Sequence, residues 1–187
     1  PTSPKWGMWA GCFLLKSDSS AFYPMAKKNK IRGTKRGDAL MGSEERDVVF
    51  GKGGDDVIIT YGGNDKVMGG KGADVITTYA GNDKVKGGNG ADTIRTGEGM
   101  DKAWGGAGDD LFVTESDVAG HVKIMDFEVG DSIQFCGCKG TSKEQRGSNV
   151  WIIKDDDVKA VIKNFDADDL DIDYAARLIT VATDSLA

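Results

Sequence analysis

Residues 69–77 read GGKGADVIT, and residues 87–95 read GGNGADTIR. Glycines and aspartate return to the same places, with TYAGNDKVK at 78–86 filling the interval. Set in rows of nine from Gly33, the chain reads GTKRGDALM, GSEERDVVF, GKGGDDVII, TYGGNDKVM, GGKGADVIT, TYAGNDKVK, GGNGADTIR, TGEGMDKAW and GGAGDDLFV. The sixth position is aspartate in every row: Asp38, Asp47, Asp56, Asp65, Asp74, Asp83, Asp92, Asp101 and Asp110. The fourth is glycine from the third row on, and the eighth is apolar throughout, from Leu40 to Phe112. Self-similarity at a short fixed period marks a repeat architecture, whose single unit is too small to bury a core alone.

Each row has the makings of a turn followed by a strand. The glycines permit positive φ and a sharp turn. The last three residues alternate outward, inward, outward, as in a short strand. One inward residue makes no core, but stacked rows make a ladder of Leu, Val and Ile. A second period, of two rows, overlies the first. Position one alternates Gly and Thr from the third row on, and position seven runs Val57, Lys66, Val75, Lys84, Thr93, Lys102, Leu111. Odd and even rows therefore occupy different environments. The expected fold is all-β: a right-handed parallel β-roll, a β-solenoid, in which two rows make one turn. Asp38, Asp56, Asp74, Asp92 and Asp110 then form a column on one edge, and Asp47, Asp65, Asp83 and Asp101 a column on the other.

Stacked strands lie about 4.8 Å apart. Carboxylates at that spacing repel by roughly 3–4 kcal/mol per neighbouring pair at an effective dielectric of about 20. Lys66, Lys84 and Lys102 stand one residue past an aspartate and point outward, so the columns need a cation. Carboxylates and the carbonyls of glycine-rich turns make an all-oxygen shell. Such a shell suits calcium better than zinc, and better than magnesium with its stricter octahedral geometry.

Over residues 33–113 the chain resembles the RTX (repeats-in-toxin) calcium-binding family, whose repeat is GGxGxD followed by x, an apolar residue and x. The resemblance implies several Ca2+ ions held between successive turns on each edge. It places carbonyls at positions two and four and the aspartate of one turn around each ion. Carbonyls at positions one and three and the aspartate of the row stacked next on the same edge complete the shell. One ion would lie among Gly70, Gly72, Asp74, Gly87, Asn89 and Asp92, and the next among Gly88, Gly90, Asp92, Gly105, Ala107 and Asp110. On the other edge the sets would be Tyr61, Gly63, Asp65, Thr78, Ala80 and Asp83, then Tyr79, Gly81, Asp83, Thr96, Glu98 and Asp101. Gly54 and Asp56 are assigned to metal binding in the same way. The first two rows depart from the pattern, with Arg36 and Glu45 in place of the fourth-position glycine. There Arg36 or Arg46 is expected to neutralise the first carboxylates and form an N-terminal cap.

The totals bound the alternatives. With 187 residues the chain has room for one or two modest domains, and 20 of its 27 glycines fall in the rows at 33–113. A net charge of −6 argues against nucleic-acid binding. No apolar run approaches the ~18 residues of a membrane span. The longest, WGMWAGCFLL at 6–15, faintly resembles a signal peptide, and WAGC resembles a lipoprotein box, but Cys12 is internal and Trp9 stands where Leu is usual. It reads as an apolar packing segment. The odd set of Cys12, Cys136 and Cys138 makes no disulfide framework and reads as structural thiols.

Three segments are expected: an N-terminal apolar extension or cap over 1–32, the roll over 33–113 and a C-terminal β-rich cap over 114–187. In the last, HVKIMDFEVGDSIQF reads as strand, turn, strand, and NVWIIKDDDVKAVIKNF as a hairpin around Asp155–Asp157. DADDLDIDYAARLI is expected to hold a short helix, with DADDLDIDY a solvated acidic loop. Ile124, Asp126, Phe127, Gly130 and Asp131 resemble the I-x-D-F-x-x-G-D stretch that follows RTX rolls, and RLITVATDSLA stands where a type I secretion signal would lie.

Two outer faces differ. Val57, Ile59, Val75, Thr77, Thr93, Arg95, Leu111 and Val113 make one largely apolar, for the N-terminal segment or a partner to cover. Lys66, Met68, Lys84, Lys86, Lys102 and Trp104 make the other a basic stripe: either a solvated face or a contact for an anionic surface or protein partner. No H-E-x-x-H, G-x-S-x-G or Walker sequence is present, and the lone His121 reads as structural. The expected function is a non-catalytic calcium-binding roll that folds on binding Ca2+. It would be a module of a secreted, extracellular protein, free or associated with the cell surface. The alternatives are a binding or structural subunit docking onto a larger assembly or cell surface, or the C-terminal part of a longer secreted enzyme or adhesin.

Overall fold

The computed structural model describes residues 29–114, 119–135 and 141–182. The expectations for WGMWAGCFLL, for Cys12, Cys136 and Cys138, and for the last five residues fall outside them. Strands follow one another at the spacing of the rows: β1 (Asn29–Arg32), β2 (Ala39–Met41), β3 (Asp47–Phe50), β4 (Val57–Gly62), β5 (Lys66–Lys71), β6 (Val75–Ala80), β7 (Lys84–Asn89), β8 (Thr93–Arg95), β9 (Gly99–Ala107) and β10 (Leu111–Thr114). Odd-numbered strands enter one sheet and even-numbered strands the other. Within each sheet the neighbours are parallel and two rows apart, as in Ile58↔Ile76↔Ile94 and Val67↔Val85↔Ala103. The fold is the expected all-β parallel roll. Its stacking starts at Asn29, which pairs with Asp47, one row before the first clear repeat.

The core is the file of eighth positions. Val49, Ile58, Val67, Ile76, Val85 and Ala103 are fully buried, and Ile94 and Phe112 nearly so. The alternation within each strand follows: in β6, Ile76 is buried between the exposed Val75 and the half-buried Thr77. Glycine is needed where turns stack. Gly81 has φ of +140°, and a Cβ there would lie 1.7 Å from the Gly63 carbonyl oxygen, so no side chain fits.

Past the nonapeptides the stacking continues with a longer turn. β11 (Gly120–Ile124) lies on β9 and β12 (Ser132–Phe135) on β10, both parallel. The pairings Gly99↔Gly120 and Leu111↔Ser132 both carry the same increase in spacing. The strand–turn–strand of 121–135 is thus one more turn of the roll, with three extra residues entering ahead of it, between Val113 and Gly120. The cap then reverses direction. β13 (Thr141–Arg146), β14 (Asn149–Lys154) and β15 (Asp157–Lys163) extend the first sheet, with β15 parallel to β11 and the hairpins antiparallel. Asp155 and Asp156, at φ of 50° and 63°, form the two-residue hairpin turn that positive φ favours.

In place of the short helix expected within 166–179 there is a strand pair. Only Ala167–Asp169 forms a 3-10 turn, capped by the Asp166 carboxylate. β16 (Leu170–Asp173) and β17 (Leu178–Val181) then pair antiparallel and close the second sheet against β12. DADDLDIDY is therefore partly a strand rather than a free acidic loop. Its alternation decides this: Leu170 is 1% exposed and packs in the core, whereas Asp171 and Asp173 face water.

Removing the Ile76 side chain beyond Cβ should cost about 2–5 kcal/mol. Val75→Ala, on the outward face, should change stability by only about 0.5 kcal/mol. Urea unfolding of both variants under conditions that keep the roll folded makes the check, and equal losses would contradict position eight as the core.

Candidate metal centre

The sixth-position aspartates all lie inward at the turn edges, between 0% and 2% exposed from Asp47 to Asp110. Their two oxygens do different things. Oδ1 of Asp56, Asp74, Asp92 and Asp110 accepts the backbone N–H of the preceding aspartate of the column, at 2.7–2.8 Å. Asp65, Asp83 and Asp101 do the same on the other edge at 2.8 Å. Each carboxylate thus ties its turn to the one before.

Among the described residues Oδ2 has no hydrogen-bond partner of ordinary geometry in Asp56, Asp65, Asp74, Asp83, Asp92, Asp101 or Asp110, although on the second edge the hydroxyls of Thr60, Thr78 and Thr96 lie close enough to Asp65, Asp83 and Asp101 to favour their charged forms. A buried acceptor without a donor is costly, more so when charged. On the first edge these atoms lie against the position-one glycines. A Cβ on Gly51 would meet Asp56 Oδ2 at 2.2 Å and the Gly69 carbonyl oxygen at 2.5 Å. At Gly69 the pair is Asp74 Oδ2 at 2.2 Å and Gly87 O at 2.8 Å, and at Gly87 it is Asp92 Oδ2 at 2.2 Å and Gly105 O at 2.7 Å. Two oxygens, one anionic, converge beside each glycine. The absence of a side chain there leaves them accessible to a shared cation.

The other residues of the expected sets fall along the same edges. The carbonyls of Gly54, Gly70, Gly72, Gly88 and Gly90 point at the next turn, each within 2.5 Å of where a Cβ would stand on Gly72, Gly88, Gly90, Gly106 and Gly108 respectively. On the second edge Gly63 and Gly81 point at Gly81 and Gly99, and Tyr79 at Gly97. The third-position carbonyls of Asn89, Ala107 and Glu98 already accept N–H groups from Gly72, Gly90 and Gly81 at 2.8–2.9 Å. Each retains a second lone pair. Thr96 O accepts the Thr78 hydroxyl at 3.1 Å, and Ala80 bridges to Glu98. Among the described residues no three His, Cys, Asp or Glu side chains gather into a group that could hold a metal ion, so backbone carbonyls must supply most of the donors. The donor set is carbonyl-rich with few carboxylates per point, and that fits calcium.

The electrostatics separate the turns that need a cation from those that do not. Burial pushes Asp83 and Asp92 up to about 6 and Asp101 and Asp110 up to about 7, and the neighbouring carboxylates push the same way. Asp56, Asp65 and Asp74 are raised for the same first reason. Asp38 is lowered, chiefly by the Thr34 amide. Its Oδ2 accepts Thr34 N at 2.6 Å and Thr34 Oγ1 at 2.9 Å, and Asp47 Oδ2 accepts Ser43 N at 2.6 Å. Thr34 and Ser43 do what was expected of Arg36 or Arg46. The signal is present in the sequence: both second positions carry a hydroxyl where later rows carry Lys, Tyr or Gly.

Sequence reasoning also missed Asp126 and Asp131 as members of the column. Asp131 Oδ1 accepts Asp110 N at 3.0 Å, which continues it past the last nonapeptide. His121 lies half-buried on β11 opposite Met100, its pKa lowered by burial and then by Lys123.

No curated protein matches this chain. Among solved structures, the extracellular lipase LipA from Serratia marcescens is similar at 14% identity with a TM-score of 0.36, over 84% of this chain and 40% of that one. The chain thus spans about two-fifths of that protein's length. Residues 32–117 match the RTX calcium-binding nonapeptide repeat in four overlapping copies, at 32–67, 41–76, 59–94 and 86–117. With the unpaired aspartate oxygens stacked along both edges of the roll, this segment is an array of RTX calcium-binding repeats.

Proposed function

We propose that the chain is a non-catalytic, calcium-dependent module of a secreted protein, ordered outside the cell by the Ca2+ it meets there. The observation that carries this reading is the row of buried Oδ2 atoms without donors on Asp56 through Asp110. The ligands are the residues of the four sets above, together with Gly54 and Asp56. Bound calcium supplies positive charge to both columns. In its absence the stacked carboxylates oppose the fold, and with no preformed site in the unfolded chain, binding free energy becomes folding free energy. Millimolar extracellular calcium then favours the folded roll, and scarce calcium inside a cell favours a chain loose enough for export.

In a calcium titration from chelated protein, far-UV circular dichroism should show a cooperative rise of β signal that magnesium does not reproduce. Asp74→Ala and Asp83→Ala should each weaken the cooperativity, one on each edge. A full β signal in chelator at pH 7.5, indifferent to calcium, would defeat the proposal.

The pH dependence has a definite sign. The folded carboxyls titrate near 6–7 and the unfolded ones near the ordinary 3.8. The metal-free folded state therefore holds protons the unfolded chain has released, and its stability falls as pH rises from about 4 to about 7. Metal-free protein should be more structured at pH 4.5 than at pH 7.5, and the calcium midpoint should rise as pH drops through 7 to 5.5. Flat curves in both measurements would contradict it.

A second reading, a docking subunit, is favoured by one file of side chains. Lys66, Lys84, Lys102 and Lys123 are direct neighbours across four parallel strands of the first sheet. Like charges placed opposite one another destabilise a sheet, and none of the four forms an ion pair among the described residues. Beside the file, Lys86 lies over the Trp104 ring at 5.2 Å. A row one residue wide fits a linear polyanion. Heparin should bind the calcium-loaded protein at 150 mM salt and lose about tenfold in affinity with Lys84→Gln and Lys102→Gln combined. Equal binding by wild type and variant would leave the row a solvated face.

A further inference from the structure

Asn89–Gly90, in the turn of row 87–95, is the one Asn-Gly pair in the sequence. The fold imposes its second member. Gly90 has φ of +122°, and a Cβ there would lie 2.3 Å from the Gly72 carbonyl oxygen, so no other residue fits. The first member is not imposed: Lys71 and Ala107 hold the same place in the turns stacked on either side. Asparagine is a labile residue, and most so before glycine, which has no side chain to shield its nitrogen from the neighbouring amide.

In the folded roll the backbone of the pair is clamped on both sides. Gly90 N–H donates to the Ala107 carbonyl at 2.8 Å, and the Asn89 carbonyl accepts Gly72 N–H at 2.8 Å. The Gly90 N–H therefore points to the next turn, and its proton is held there. The Asn89 side chain is exposed at the end of β7, and among the described residues its amide makes no hydrogen bond. The asparagines on the other edge differ. Asn64 and Asn82 accept the N–H groups of Asn82 and Met100 on Oδ1, at 2.7 and 2.8 Å, and each precedes an aspartate. At Asn89 the electrophile is open to solvent, and only the stacking of turns restrains the nucleophile.

We propose that Asn89–Gly90 is a self-modification site that reacts only when the roll is open. Released from Ala107, the Gly90 nitrogen gives up its proton and attacks Asn89 Cγ. The new C–N bond closes a succinimide ring, the Cγ–Nδ2 bond breaks, and Nδ2 leaves as ammonia with that proton. Water then opens the ring at either carbonyl to give aspartate or isoaspartate, and no other reactant is consumed. Isoaspartate routes the main chain through Cβ and Cγ, which adds an atom to the backbone. The pairs Gly88↔Gly106 and Asn89↔Ala107 fix this stretch on β9, so the longer backbone puts the two clamps out of step. The product marks chains that have stayed open and keeps them from stacking fully. Calcium controls the reaction through the calcium-dependent folding proposed above, and that link alone rests on that reading.

The full chain, held in warm, mildly alkaline buffer with calcium, with chelator or with guanidinium chloride, makes the test. Trypsin cuts after Lys86 and Arg95, so a single peptide, 87–95, reports the reaction by mass and retention. In guanidinium chloride that peptide should gain the mass of amide-to-acid exchange and split into two forms, the larger labelled by an isoaspartyl methyltransferase. With calcium the reaction should run at least about a hundredfold slower, as for an event confined to locally opened molecules. No product in guanidinium chloride would overturn the site, and equal rates there and in calcium would overturn its protection by the fold. A chelated sample as slow as the calcium sample, beside a reactive denatured one, supports gating by the fold and defeats calcium-dependent folding instead. After return to calcium, isoaspartate should concentrate in the protease-sensitive fraction, with unmodified chains of the same sample in the resistant one. An even distribution would overturn the effect on stacking.

Discussion

One buried carboxylate in every row from Asp47 to Asp110 is the constraint around which this roll is arranged. Parallel strands fix the distance between turns, so an aspartate at each sixth position puts like charges in single file. The chain uses half of each carboxylate to lock neighbouring turns, through the bond from one aspartate N–H to the next aspartate Oδ1. The other half faces backbone carbonyls, which are also acceptors. Among the described residues no protein donor resolves that juxtaposition for Asp56, Asp74, Asp92 or Asp110 on the first edge. The apolar ladder from Val49 to Phe112 supplies cohesion, but it is one residue wide per row and works against the charge on both edges. On the proposed reading, calcium binding and folding are linked because these two demands meet in the same nonapeptide.

The ends of the stack show how a column is stopped. At the beginning, a hydroxyl residue at position two turns its own amide and side chain onto the carboxylate, and Asp38 falls below the ordinary range instead of rising above it. At the far end, the Glu128 amide satisfies Asp131, and the strands change direction. The antiparallel hairpins of β13 to β17 then cover what would be open parallel edges. Their outermost members carry charge: Lys143, Glu144 and Arg146 on β13, Asp171 and Asp173 on β16. Charged edge strands discourage further pairing.

The roll is legible in the sequence because its signals are local and periodic. The alignment in rows carries the inward position, the alternation of sheets and the aspartate columns without any knowledge of three-dimensional contacts. Legibility ends where the period changes. Three extra residues enter between Val113 and Gly120, and this shift of frame hides Asp126 and Asp131 from a search in steps of nine. The segment from Asp166 to Ile179 defeats a local reading for another reason. Its Ala and Leu content favours a helix, but the alternation of Leu170 and Ile172 with aspartates lets it join the sheet ahead of it, and tertiary pairing with β12 prevails over local preference. The hydroxyls of Thr34 and Ser43 look like ordinary substitutions in the sequence, and only their contacts with Asp38 and Asp47 reveal them as caps.

The strict exchange of rows between two sheets also sets how the length of such a module can change. Because each strand pairs with the next but one, adding or deleting two rows leaves every later residue on its original side. Gaining or losing one row does the opposite. It would transfer all downstream lysines to the side now occupied by Val57 and Val75, and move each downstream aspartate to the other column. Variation in the length of this array is therefore quantised in whole turns, and a single-row change amounts to turning half of the molecule over.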